Sequence, residues 1–169
     1  MNAFRAITLT ACAIGCGMAM ASAEAADVIR VETVPAVAAC KPATAAYRDQ
    51  LRFRPIGAQN ESDRNAFVSC AFEHTELANV DKSPGGVILR NDSATAQTVT
   101  CKYATTQTLI AGPYWTHTFT LPANTAGIEK ELYTAHAGYF VQARAVSCML
   151  PPGTGISAIW RQYRDYVGQ

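Results

Sequence analysis

The chain reads as an all-β protein, an antiparallel two-layer sandwich of immunoglobulin-like or jelly-roll-like type stapled by disulfides, with a closed β-barrel as the alternative. Three observations predict it. Short runs of alternating apolar and polar residues fill the sequence after Tyr47; turn-forming clusters separate them at regular intervals; and three runs, VSCAF, VTCKY and VSCML, each place a cysteine between a valine and a large apolar residue two positions away on either side.

The punctuation comes first. Pro55-Ile56-Gly57, Ser83-Pro84-Gly85-Gly86, Asn91-Asp92-Ser93, Ala111-Gly112-Pro113, Pro122-Ala123-Asn124 and Pro151-Pro152-Gly153 are turn chemistry. Between them the spacing predicts strands over Gln50 to Arg54, Ala66 to Phe72, Gly86 to Arg90, Thr98 to Ala104, Tyr114 to Leu121, Tyr139 to Leu150 and Ser157 to Tyr166. YWTHTFTL alternates most clearly, with Trp115, His117, Phe119 and Leu121 on one face. Ile128 to His136 fits either a helix face or a two-residue period. No long helical pattern alternates with the strands, which argues against a parallel α/β sheet. The cysteine runs are separated by 31 and 47 residues, so no repeat of fixed period is expected.

The N-terminus, MNAFRAITLTACAIGCGMAMASAEAADV, carries one basic residue, Arg5, an apolar run to about Ala21 and small residues at Ala21 and Ala23. It reads as a signal peptide over residues 1–23, cut after Ala23, with Ala25 as second choice. The run is shorter than the roughly 20 apolar residues of a membrane-spanning helix. Cys12 and Cys16 sit poorly for lipid attachment, which stays a minor alternative to a released protein. Residues 24–39 are expected to be a flexible or edge-strand lead-in, and 40–169 a single sandwich domain.

Removal of the leader leaves 13 Lys and Arg against 13 Asp and Glu. A formally neutral chain has no electrostatic footprint for nucleic acid or an anionic membrane surface. The lead-in VIRVETV alternates, which suggests β-strand exchange with a partner.

The four cysteines beyond the leader are an even number in a chain routed to an oxidising compartment, so two disulfides are expected. Alternation sends Cys70, Cys101 and Cys148 to the apolar face beside Val68, Val99 and Val146, where a thiol would be a poor nucleophile. Four cysteines allow three pairings; Cys40 with Cys70 and Cys101 with Cys148 is preferred, because Cys40 lies in the Pro-containing lead-in while the later two are strand-centred with matching faces. No C-x-x-C pair points to zinc, and no metal site or cofactor is expected.

The segments ACKPAT, LRFRPIGAQNES with NAFVSC, NDSATAQTVTC and VSCMLPPGTGI resemble a loose group of small exported bacterial proteins with four cysteines. The resemblance spans most of the chain after the leader. It implies the sandwich and the disulfides, and no activity or catalytic residue comes with it.

Candidate sites are few. Arg52 and Arg54 share a strand face near Arg48 and could hold an anion or an acidic sugar, although a solvated charged face is the simpler explanation. Trp160, with Tyr163 and Tyr166 in the same strand and Tyr114 and Trp115 in an earlier one, could form a sugar-stacking platform or a protein contact. His117, between Trp115 and Phe119, reads as a core histidine. Asn60-Glu61-Ser62 and Asn91-Asp92-Ser93 match the glycosylation pattern but read better as turns. With no G-x-S-x-G and no catalytic constellation, the expectation is a non-catalytic binding or structural module of the periplasm, envelope or medium, with a carbohydrate or another envelope protein as partner. The alternative is a small exported hydrolase assembled around His74, His117 or His136.

Overall fold

The computed structural model describes residues 26–72, 84–105, 114–133 and 144–167. The expected leader with its expected cut after Ala23, His74, His136 and residues 139–143 of the strand expected from Tyr139 lie outside the described residues, as do the side chains of Tyr133 and Tyr166.

In chain order the elements are β1 (Ala26–Pro35), α1 (Ala36–Ala39), β2 (Cys40–Pro42), a 3-10 turn at Ala45–Tyr47, β3 (Leu51–Arg54), β4 (Gly57–Asn60), β5 (Ala66–Ala71), β6 (Gly85–Asn91), β7 (Gln97–Thr105), β8 (Trp115–Leu121), β9 (Thr125–Tyr133), β10 (Arg144–Leu150) and β11 (Thr154–Val167). One sheet orders its strands β3-β4-β11-β6-β9, with β1 also on β11; the other runs β2-β5-β10-β7-β8. All described pairings are antiparallel, and among the described residues no ladder joins the two sheets, so the open sandwich holds rather than the closed barrel.

Two-residue alternation builds the core between the layers. Val68, Cys70, Val99, Cys101, Leu121, Val146, Cys148 and Leu150 point inward from one sheet, and Leu51, Ala58, Val87, Leu89, Leu132, Ile156 and Ile159 meet them from the other. The alternation survives a bulge between Ile156 and Ala158, which is why both isoleucines face the core although three positions apart. Ile128 to Tyr133, ambiguous by sequence, is strand.

Cys40 bonds Cys70 and Cys101 bonds Cys148. In each bond the partners stand directly opposite on neighbouring strands, β2 with β5 and β7 with β10, so both lock the five-stranded sheet internally rather than tying one layer to the other.

The lead-in enters the fold more fully than its composition suggests. β1 pairs with β11 without a break from Ala26↔Val167 to Pro35↔Ala158, so of the two forms expected for the lead-in, flexible or edge strand, it takes the edge strand. The β-branched residues of VIRVETV and their alternation supply the cause. β4 was hidden by Gly57, Gln59 and Asn60, poor strand formers; Gly57 opens it at φ 139°, where a Cβ would meet the Ile156 carbonyl.

A repeat that the cysteine spacing concealed sits at one end of the sandwich. Asn60-x-Ser62 ends β4 and leads to Val68-Ser-Cys70; Asn91-x-Ser93 ends β6 and leads to Val99-Thr-Cys101, each residue 31 positions from its counterpart. The expectation of no fixed period is therefore corrected for these two units, the third cysteine run having disguised them. Both asparagines are fully buried. Asn60 Oδ1 accepts from the Ser62 amide (3.0 Å) and hydroxyl (2.8 Å), and its Nδ2 donates to the carbonyls of Arg64 (2.6 Å) and Leu150 (2.7 Å). Asn91 repeats this with the Ser93 amide (3.0 Å) and hydroxyl (2.7 Å) and the carbonyls of Thr95 (2.9 Å), Leu121 (3.2 Å) and Pro122 (2.9 Å). Each corner thus clasps a Leu-Pro crossover returning from the other sheet. Those crossovers match too: Thr125 donates to the Pro122 carbonyl (2.9 Å) and Thr154 to the Pro151 carbonyl (2.8 Å), each after a residue of positive φ, Asn124 and Gly153. A buried amide fully engaged in this way is a structural turn, and its nitrogen is not available to a glycan.

Candidate functional site

The two arginines singled out by sequence lie on β3, at the edge of the six-stranded sheet. Both are exposed and turn toward one carboxylate: Arg54 meets Glu61 at 2.5 Å and Arg52 lies 3.9 Å from it. Glu61 offsets much of the positive field an anion would need, and the pair is exposed enough for water to screen the remainder.

Trp160 lies where its strand alternation puts it, on the outer face of β11, but only 9% of it is exposed. Its cross-strand neighbour Gly86 has no side chain, and the indole settles over that gap, with Nε1 2.9 Å from where a Gly86 Cβ would stand. Nε1 has no hydrogen-bond partner among the described residues. A ring so covered offers no open face for a sugar, so Trp160 does not form a platform with Tyr163, which belongs to the opposite face. Tyr114 is 56% exposed and directly precedes β8, which belongs to the other sheet from β11.

His117 is half-buried, not enclosed. β8 is the edge strand of its sheet, so its inward face is only half covered; His117 stacks on Phe119 (6.1 Å between ring centroids), and the Lys130 ammonium lies 5.7 Å from the Phe119 ring centre. Its cross-strand partner is Cys101, which is held in a disulfide. Among the described residues no three His, Cys, Asp or Glu side chains gather as a metal site would need.

A concavity large enough for a ligand lies elsewhere, on the side where β1, α1 and β2 pass from one sheet to the other. It is a groove of about 610 Å3 lined by Glu32, Val34, Ala38, Ala39, Cys40, Lys41, Ser69, Cys70, Ala71 and Ala145. Its construction follows from the chain. α1 is a single alanine-rich turn, too small to fill the space between the sheet edges, and the Cys40–Cys70 bond holds β2 back against β5. On the β1 side an ion pair shapes the wall. Glu32 stands opposite Arg161, whose Nε and guanidinium nitrogen both lie 2.5 Å from its carboxylate. Arg161 is 7% exposed, and its guanidinium carbon lies 5.2 Å from the Phe72 ring centre and 5.7 Å from that of Tyr163. A cation this far out of water needs its anion; the pair and the rings together make its burial tolerable.

Sequence reasoning missed this groove because Glu32 and Arg161 are 129 positions apart. The signal that existed was local: Arg30, Glu32 and Val34 share one face of VIRVETV, and Arg161 is a charge set directly against the apolar stretch ISAIW.

No family model matches the chain, and no curated protein matches it. Among solved structures the chain is similar to TmCBM61, a carbohydrate-binding module whose structure was determined in complex with beta-1,4-galactotriose. The two share 12% identity over 82% of this chain and 84% of that one, with a TM-score of 0.35.

Proposed function

We propose that this protein is an exported, non-catalytic binding module of the periplasm, envelope or medium, and that its ligand seats in the groove beneath β1. The observation that carries the reading is the groove itself. At about 610 Å3 it falls within the roughly 300 to 1,000 Å3 common among ligand sites. Its alanine-lined wall keeps the backbone close to anything bound there, and it carries one carboxylate, Glu32, and one ammonium, Lys41. Donors and acceptors of both signs over small apolar groups suit a neutral polyhydroxyl ligand, which gives and takes hydrogen bonds and offers C–H faces to the alanines. A carbohydrate is the ligand class of this reading, and another envelope protein is the partner that would replace it. The leader ending at Ala23 and the two disulfides support export, since such bonds persist in oxidising compartments.

Calorimetric titration of the chain beginning at Glu24 with neutral oligosaccharides tests the proposal. Ala38→Trp, at an exposed position on the groove wall, is expected to abolish binding while leaving the melting temperature unchanged. Failure of all neutral glycans to bind, or binding untouched by Ala38→Trp, would overturn it.

A further inference from the structure

We propose that two copies of this chain associate through β1, edge to edge and antiparallel, with Val31 on the two-fold axis. Among the described residues β1 pairs on one side only, with β11, along ten residues in unbroken register. Exposed strand edges of this length are usually blunted by charges, lysine above all, by bulges or by proline; the two inward charges of β1, Arg30 and Glu32, are opposite in sign and so can be matched by a second copy. β1 contains no lysine and no bulge, and its proline, Pro35, is its last residue. Val28, Ile29 and Val31 stand 37%, 59% and 65% exposed along it.

The sequence of this edge is complementary to itself. A two-fold axis perpendicular to the sheet keeps each side chain on its own face, so directly opposed residues must share parity. With Val31 opposite Val31, Arg30 falls opposite Glu32 and Glu32 opposite Arg30, Ile29 faces Thr33, and Val28 faces Val34. The neighbouring registers fail. Centring on Arg30 opposes the two arginines, centring on Glu32 opposes the two glutamates, and centring on Ile29 sets Arg30 against Val28. Only the Val31 register matches both charges and buries the valines against apolar partners.

The inward face gains as well. Glu32 already meets Arg161 on that face, and Arg30 of the second copy would approach the same carboxylate along the ladder, giving it a cation on each side. Pairing joins two six-stranded sheets into one continuous sheet. The second copy is favoured over an unrelated strand because both charges find their complement in this same segment.

Sedimentation velocity of the chain beginning at Glu24, without ligand, from micromolar to millimolar concentration tests the proposal. A concentration-dependent monomer–dimer equilibrium is expected. Arg30→Glu turns two attractive cross-strand pairs into two repulsive ones and raises the dissociation constant about tenfold or more. Val31→Cys, at an exposed position, forms an interchain disulfide on mild oxidation, whereas Ile29→Cys, facing Thr33, does so far less. A chain that stays monomeric throughout overturns the proposal. So does a dimer that Arg30→Glu leaves intact and Val31→Cys fails to cross-link.

Discussion

At the end of the sandwich where Asn60 and Asn91 sit, both crossovers are fastened by a buried amide. At the Arg161 end, β11 runs on past Gly85, its last partner on β6, and after one further bond from Gln162 N–H to the Pro84 carbonyl (2.9 Å) it has β1 as its ladder partner among the described residues as far as Val167. The corners are also tied to each other: Gly153 N–H donates to Asn60 O, Asp92 N–H to Gly153 O and Asn124 N–H to Ser93 O, at 2.9, 2.8 and 3.0 Å. The Arg161 end instead leaves apolar residues in water and a groove between the sheets. A domain can leave one end open for binding if its layers are held together at the other, and the difference marks which residues serve stability and which are available for contact.

Substitutions should sharpen or break that division. The largest effect is expected in the body that both ends share. Cys101→Ala with Cys148→Ala opens a loop of 47 residues and should lower unfolding free energy by about 4 kcal/mol in urea titrations, on the chain-entropy view. At the closed end, Asn91→Ala strips hydrogen bonds from three carbonyls and from Ser93; a loss of about 3 kcal/mol is expected in the same titration. Glu32→Gln, at the junction with the open end, leaves the Arg161 charge nearly buried without this anion, and about 2 kcal/mol should be lost. On β1 itself Val31→Thr keeps a β-branched residue at an exposed position, and monomer stability should shift by less than about 0.5 kcal/mol. Equal sensitivity at Asn91 and Val31 would dissolve the comparison.

How much of this was legible depends on whether a feature is local. The strands from β5 to β8 announce themselves through alternation, and the inward faces of Cys70, Cys101 and Cys148 follow from the residues two positions away. β4 was not legible, because GAQN has no strand-forming side chain and is held by its neighbours; Gly155 and Ile156 of β11 pair with it from nearly a hundred positions away. The Asn-x-Ser corners could have been found by aligning NESDRNAFVSCAF with NDSATAQTVTCKY, since asparagine, serine, valine and cysteine coincide at one offset. Trp160 misleads for a non-local reason: an aromatic near the end of a chain suggests a surface, yet the absent side chain of Gly86 draws it under cover. The groove was beyond sequence altogether, since its walls come from both sheets and the space is set by what α1 is too small to fill.

The central claim is that the β1 side of the sandwich is the binding side. Titration of the isotope-labelled chain with neutral oligosaccharides, followed by amide chemical shifts, tests it most directly. The account predicts saturable shifts at Glu32, Val34, Ala38 to Lys41, Ser69 to Ala71 and Ala145, with the amides of Ser62 and Ser93 unmoved. Shifts confined to the asparagine corners, or to the outer strands β8 and β9, would contradict it.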